Sequence, residues 1–200
     1  MRYIAVEGID GSGKSTLVNN LRDRLLDQDI PCAIVKEPDN EYIRNAIDFV
    51  KKSELRHEDE ILTNLFAADR LILKDKIFNY LYEGVLVISD RSKYSSYAYQ
   101  NTDLYYNTLL NQYTLDPHAV FYLDISPEIA EKRYLGEDKF ENRALLTDVR
   151  GWYLNNLKPM VEDSDAIYVS LNVDNYQEDE VTDYFMGKVL SLIGDKVEQI

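Results

Sequence analysis

Gly8-Ile9-Asp10-Gly11-Ser12-Gly13-Lys14-Ser15-Thr16 is the stretch whose residue types and spacing carry the clearest chemistry. It has a glycine, four residues, a second glycine, a lysine and then a hydroxyl residue. Glycines let the main chain bend until successive N–H groups point into one cavity, which suits a phosphate. An amphipathic stretch follows from Lys14, so the positive end of a helix dipole falls at the same place. Lys14 supplies a mobile charge for the β- and γ-phosphates of a nucleotide, and Ser15 a hydroxyl for Mg²⁺. Asp10 is unfavourable beside phosphate unless it faces something else; its plainer reading is an aspartate that stabilises the turn.

Other charged residues stand at positions where charge is informative. Asp90 closes the apolar run Val85-Leu86-Val87-Ile88-Ser89, where an acid either approaches Mg²⁺ through water or caps a turn. Arg91 follows it, suited to grip a phosphate or to stand as a solvated loop charge. Phe66 and Arg70 lie four apart, on one face of an expected helix. By default Phe66 is core and Arg70 a surface ion pair with Asp69.

These residues need a scaffold, and the chain alternates strand and helix patterns. Residues 2–7, 32–36, 85–89, 119–123 and 166–170 read as strands. Residues 14–28, 41–52, 57–82, 93–101, 104–112, 143–162 and 177–194 read as helices, with Leu17, Val18, Leu21, Leu25 and Leu26 on the buried face of the first. Ser126 and Pro127 mark another helix start. This pattern predicts an α/β fold: a three-layer sandwich with a five-stranded parallel sheet and right-handed crossovers. Ligands of such sheets bind beyond the C-terminal ends of the strands. Length predicts one domain over residues 1–200.

The net charge of −14 works against nucleic acid and anionic membranes, which demand a positive surface. A bound nucleotide must then rely on a few local cations. Cys32 is the single cysteine, which excludes an internal disulfide and argues against a zinc cluster. The strand-like run starts at residue 2 and no apolar run approaches a bilayer's width. The expectation is a cytoplasmic protein without a signal peptide.

Four further segments sharpen the reading: Glu37-Pro38 after the second strand, Phe66-Ala67-Ala68-Asp69-Arg70 in the long helix, Asp90-Arg91-Ser92-Lys93-Tyr94-Ser95-Ser96-Tyr97-Ala98-Tyr99-Gln100 after the third strand, and Phe121-Tyr122-Leu123-Asp124 with Pro127-Glu128 and Arg133. With the E-G-x-D-G-S-G-K-S-T form of the loop, Glu7–Thr16, and in this order, they resemble the thymidylate kinase family over about residues 2–160. The resemblance implies ATP-dependent phosphorylation of dTMP to dTDP, in dTTP biosynthesis, by a Mg²⁺-dependent homodimer. It implies ATP on Gly8–Thr16, Mg²⁺ at Ser15 and Asp90, thymine on Phe66, Arg70 and Gln100, the deoxyribose at Asp10 and Tyr99, and the acceptor phosphate on Arg91. Glu37, Pro38 and Ser95 would complete the acceptor pocket. Another nucleotide or nucleoside kinase, with Glu37 as base for a sugar hydroxyl, is the nearest alternative; a non-catalytic nucleotide-binding regulator is a more distant one.

The match departs from the family in three places. Ser92 stands where the family usually has an aromatic residue, with Lys93 beside it as partial compensation. Asp39-Asn40-Glu41-Tyr42-Ile43-Arg44 replaces a glycine-rich stretch, leaving Arg44 either as a substitute contact or as a helix surface residue. Gly11 occupies the position where one branch of the family carries a catalytic arginine. The resemblance then implies that cations on a mobile lid, at about 134–143, stabilise the transferred phosphoryl group. Arg133, Lys139 and Arg143 are the candidates, and Arg150 lies just beyond.

Overall fold

Apolar, β-branched runs such as Leu86-Val87-Ile88 suit strands covered on both faces, and the central strands here have that environment. The computed structural model describes residues 2–133 and 143–194. Its strands are β1 (Tyr3–Glu7), β2 (Cys32–Lys36), β3 (Leu86–Asp90), β4 (Ala119–Asp124) and β5 (Ile167–Asn172). They form one parallel sheet in the order β2-β3-β1-β4-β5. Every residue of β1 and β3 is buried, whereas the edge strand β5 is largely open.

The helices are α1 (Lys14–Leu26), α2 (Glu41–Lys51), α3 (Glu58–Tyr82), α4 (Lys93–Tyr99), α5 (Leu104–Asn111), α6 (Pro127–Arg133), α7 (Arg143–Trp152), α8 (Lys158–Asp163) and α9 (Glu178–Gly194). Strand side chains alternate between two packed layers. Ile4, Val6, Leu86 and Ile88 join Leu17, Val18 and Leu21 of α1 in the larger cluster. Tyr3, Val35 and Val87 meet Leu73 and Ile77 of α3 in another. Full burial of one such aliphatic side chain contributes roughly 1.5–3 kcal/mol. Helices thus cover both faces, as the expected three-layer sandwich requires.

Two sequence expectations need correction. The expected single helix over 143–162 is divided by a π-helical segment, Tyr153–Leu157. Pro159 stands in the first turn of α8, and in a regular helix its ring would meet the carbonyl four residues back. A widened turn relieves that clash. Leu26 does not join the buried face of α1; its side chain is 49% exposed at the end of the helix.

β1 is central, with β3 and β4 as its neighbours. The loops leaving the C-terminal ends of these strands therefore converge, and they carry Gly8–Gly13, Arg91–Ser92 and Ile125–Ser126.

Candidate active site

The phosphate loop joins β1 to α1, and its backbone has the positive φ angles that its glycines allow. Gly11 lies at φ 79° and Gly13 at φ 92°. A Cβ built on Gly11 would stand 2.5 Å from the Ala130 carbonyl oxygen, so α6 sits directly over this position. Lys14 is buried, and its ammonium donates to the carbonyls of Gly8 (2.9 Å) and Ile9 (2.8 Å). Burial pushes its pKa down to about 8, with the Arg91 charge adding to the effect. The Ser15 hydroxyl donates to Asp90 at 2.6 Å. A hydroxyl from the first turn of α1 and a carboxylate from the end of β3 make a pair of hard oxygen donors there.

A cavity of about 950 Å³ opens over this loop. Asp10 to Leu17, Lys36, Asp90 and Arg91 line one side, with Lys132 and Arg133 of α6 and the segment Val173–Glu178 after β5 opposite. Gly8 contributes its carbonyl, while the Ile9 side chain is buried in the core.

A second chamber of about 160 Å³ adjoins the first. Asp10, Glu37, Pro38, Phe66, Arg70, Arg91, Ser95, Tyr99 and Gln100, separated by up to ninety positions in the chain, all line it. Arg70 does not form the surface pair expected by default. It is buried, donates to Glu37 at 2.6 Å, and also reaches Asn111 and Ser96. Asp69 turns instead to the loop after Pro38, accepting the backbone N–H groups of Asp39 (2.8 Å) and Asn40 (2.7 Å). The Arg70 guanidinium lies 6.0 Å from the centre of the Phe66 ring, whose half-buried face remains open to the chamber. Among the described residues the Gln100 side-chain oxygen is buried without a hydrogen-bond partner, although the chamber is beside it.

Arg91 and Asp10 line both cavities and are paired with each other. Arg91 also donates to Ser95 at 3.1 Å, and its guanidinium lies 4.8 Å from the centre of the Tyr99 ring. Asp10 accepts from the Tyr99 hydroxyl at 3.3 Å.

Several expectations fall elsewhere. Lys93 does not compensate for Ser92 at the site; it pairs with Asp116. Arg44 donates to the carbonyls of Pro38 and Asp39, so it braces the loop from an exposed position. Arg150 holds Asp124 through two bonds of 2.7 and 3.0 Å, and its charge is committed to β4. Arg143 is exposed and donates to Glu131. Lys139 and nearly all of the expected lid, residues 134–142, lie outside the described residues. Lys51 and Lys132 were missed as lining residues, as was the segment after β5; none carries a motif, and only their placement reveals them.

The family model described as thymidylate kinase matches residues 6–179 of this chain. A probable thymidylate kinase of Methanobrevibacter smithii is 35% identical over 156 residues, covering 76% of this chain and 79% of that protein. A thymidylate kinase of Leptospira interrogans is 37% identical over 165 residues, again covering 76% and 79%. A probable thymidylate kinase of Methanococcus aeolicus is 33% identical over 195 residues, covering 94% and 96%. With a phosphate-loop motif, an adjoining smaller chamber and a family match across most of its length, the chain belongs to the thymidylate kinase family.

Proposed function

We propose that this protein transfers the γ-phosphoryl group of ATP to dTMP, giving dTDP and ADP. The observation that carries this reading is the pair of adjoining cavities that share Asp10 and Arg91. A donor nucleotide on the large side and an acceptor on the small side would meet at that shared wall. ATP lies along Gly8–Thr16, with Lys14 leaving the Gly8 and Ile9 carbonyls for the β- and γ-phosphates. The oxygens of Ser15 and Asp90 suit Mg²⁺, which binds few protein ligands and keeps waters and phosphate oxygens. When bound, it neutralises charge on the migrating group.

In the small chamber, thymine stacks on Phe66. Arg70 faces its edge, and the Gln100 oxygen, which has no partner among the described residues, takes its N–H. Tyr99 and Asp10 flank the deoxyribose, Glu37, Pro38 and Ser95 shape the walls, and Arg91 holds the acceptor phosphate. The attacking oxygen is already ionised, so no general base is needed; rate comes from positioning and charge. The carbonyl of Ala130 leaves no space for a side chain at Gly11, which favours cations from the α6 side. Arg133 and Lys132 line the donor cavity there; Lys139 and Arg143, within and at the end of the proposed lid, complete the candidate set.

Glu37 as base of a nucleoside kinase is less suited, because its carboxylate is buried and engaged by Arg70. Turnover measured with dTMP, dUMP, thymidine, CMP and AMP tests the reading. dTMP should be the best acceptor and thymidine inert; rapid phosphorylation of thymidine sinks the assignment.

The homodimer is proposed through α2 and α3, whose Phe49 (66%), Ile72 (54%) and Phe78 (48%) expose apolar surface. Light scattering that gives a monomer mass would reject it. Among the described residues no helix is long and apolar enough to cross a membrane. A cytoplasmic location is proposed from the lone Cys32 and this small-molecule chemistry.

A further inference from the structure

Glu7 ends β1, one residue before the phosphate loop, and its side chain is fully buried. A buried carboxylate normally takes a cationic partner, because its desolvation is costly. Among the described residues, Glu7 has three hydroxyls instead. Ser92 donates to one oxygen at 2.6 Å, while Ser95 and Tyr153 each donate to the other at 2.8 Å. Such O–H···O⁻ bonds are short and charge-assisted.

The three hydroxyls come from separate elements. Ser92 is the residue after Arg91, Ser95 lies in the first turn of α4, and Tyr153 opens the π-helical segment after α7. Ser92 is itself buried, so its hydroxyl faces Glu7 rather than solvent. Ser95 is the link to chemistry: its oxygen accepts from the Arg91 guanidinium at 3.1 Å while its proton goes to Glu7. A serine has one proton. An ionised Glu7 claims it, and the serine lone pairs are then left for Arg91. Burial, followed by the Glu7 charge, pushes the Tyr153 phenol well above its usual range, so this group also remains a donor.

The Arg91 main chain is held from the same side. Its φ of 79° lies in the left-handed region, its N–H donates to the Val6 carbonyl at 3.0 Å, and its carbonyl accepts from Ser89. Val6 is the residue before Glu7. Backbone and side chain at the end of β1 therefore bracket Arg91 together.

We propose that Glu7, with the hydroxyls of Ser92, Ser95 and Tyr153, is a positioning device that fixes Arg91 for the acceptor phosphate and ties the end of α7 to it. The device rests on the reading of Arg91 as the acceptor-phosphate ligand. Glu7, Ser92 and Tyr153 are positioning residues in it, acting on the acceptor through Ser95 and Arg91.

Wild-type turnover and calorimetric binding of dTMP, thymidine and ATP come first; if the wild type neither binds nor phosphorylates dTMP, the parent reading fails and the device fails with it. Given a wild type that uses dTMP, the variants Ser92→Ala, Tyr153→Phe and Glu7→Gln are compared. Each hydroxyl deletion should weaken dTMP binding and raise its KM about fivefold to tenfold. Glu7→Gln should have a larger effect, because its amide donates where the serine and tyrosine hydroxyls also donate. Thymidine, which lacks the phosphate, should bind each variant as it binds the wild type, and KM for ATP should stay within about twofold. Variants that lose thermal stability while keeping the wild-type ratio of dTMP to thymidine affinity would show a merely structural cluster and overturn the proposal. Should Glu7→Gln fail to fold, the two hydroxyl deletions decide alone.

Discussion

The cavity over the phosphate loop and the proposed acceptor chamber share Asp10 and Arg91, yet they rest on different kinds of structure. The loop is made by nine consecutive residues, and the groups proposed to bind phosphate there are largely main-chain N–H donors. The chamber is made by side chains from α2, α3 and α4 and from the loops that follow β1, β2 and β3, held by buried polar bonds. Arg70 alone donates to Glu37, Asn111 and Ser96. A backbone site tolerates change in its surroundings and depends on glycine. A side-chain site depends on distant partners, and one broken ion pair there affects folding as well as binding.

That contrast is open to attack at several strengths. The largest effect is expected for Lys14→Ala, which should lower kcat by about a thousandfold or more, equivalent to about 4 kcal/mol. Calorimetry should find dTMP affinity nearly unchanged in this variant, since Lys14 lines only the donor cavity. A parallel collapse of dTMP binding would erase the distinction between the two pockets.

Arg70→Met should act on stability as well as on the base. It leaves the Glu37 carboxylate buried without its cation, at a cost of about 3 kcal/mol. Chemical denaturation of Arg70→Met beside the double variant Arg70→Met/Glu37→Gln is the measurement. The double variant should recover part of the loss, and equal losses would mean that the pair is not the source.

Gly11→Ala should cost about 2 kcal/mol, from the left-handed φ and the close Ala130 carbonyl together. The melting temperature reports this directly. A neutral result would show that α6 yields easily over the loop.

The smallest effect concerns protons. Lys14 is held down at about 8, mainly by burial, and bound phosphates favour its charged form. At pH about 7.5 most Lys14 is already protonated, so ATP binding should take up little. At pH about 9 most is neutral, and binding should take up close to one proton. Titrations in buffers of different ionisation heat measure the uptake. Equal uptake at both pH values contradicts the sign.

The sequence reading captured the alternating elements because each signal is local. Apolar strand runs, the amphipathic α1 and the Pro127 helix start all act within a few residues. It missed the break at Tyr153–Leu157, where Pro159 changes a pattern that still looks helical. It missed Lys51 and Lys132 because an isolated lysine on a polar helix face looks like any solvated charge. The Glu7 cluster was equally hidden, for its three hydroxyls lie 85, 88 and 146 positions away along the chain.

By itself the sequence determined the phosphate loop, the parallel α/β arrangement and family membership, since each depends on neighbouring residues or on motifs in order. Tertiary structure decided which charges are committed. Arg150 belongs to Asp124, Lys93 to Asp116 and Arg70 to Glu37, while Arg91 is paired with Asp10 at the wall that the two cavities share. The reason is that a charge is assigned by the few ångströms around it, and distances across the sheet are set by packing rather than by separation along the chain.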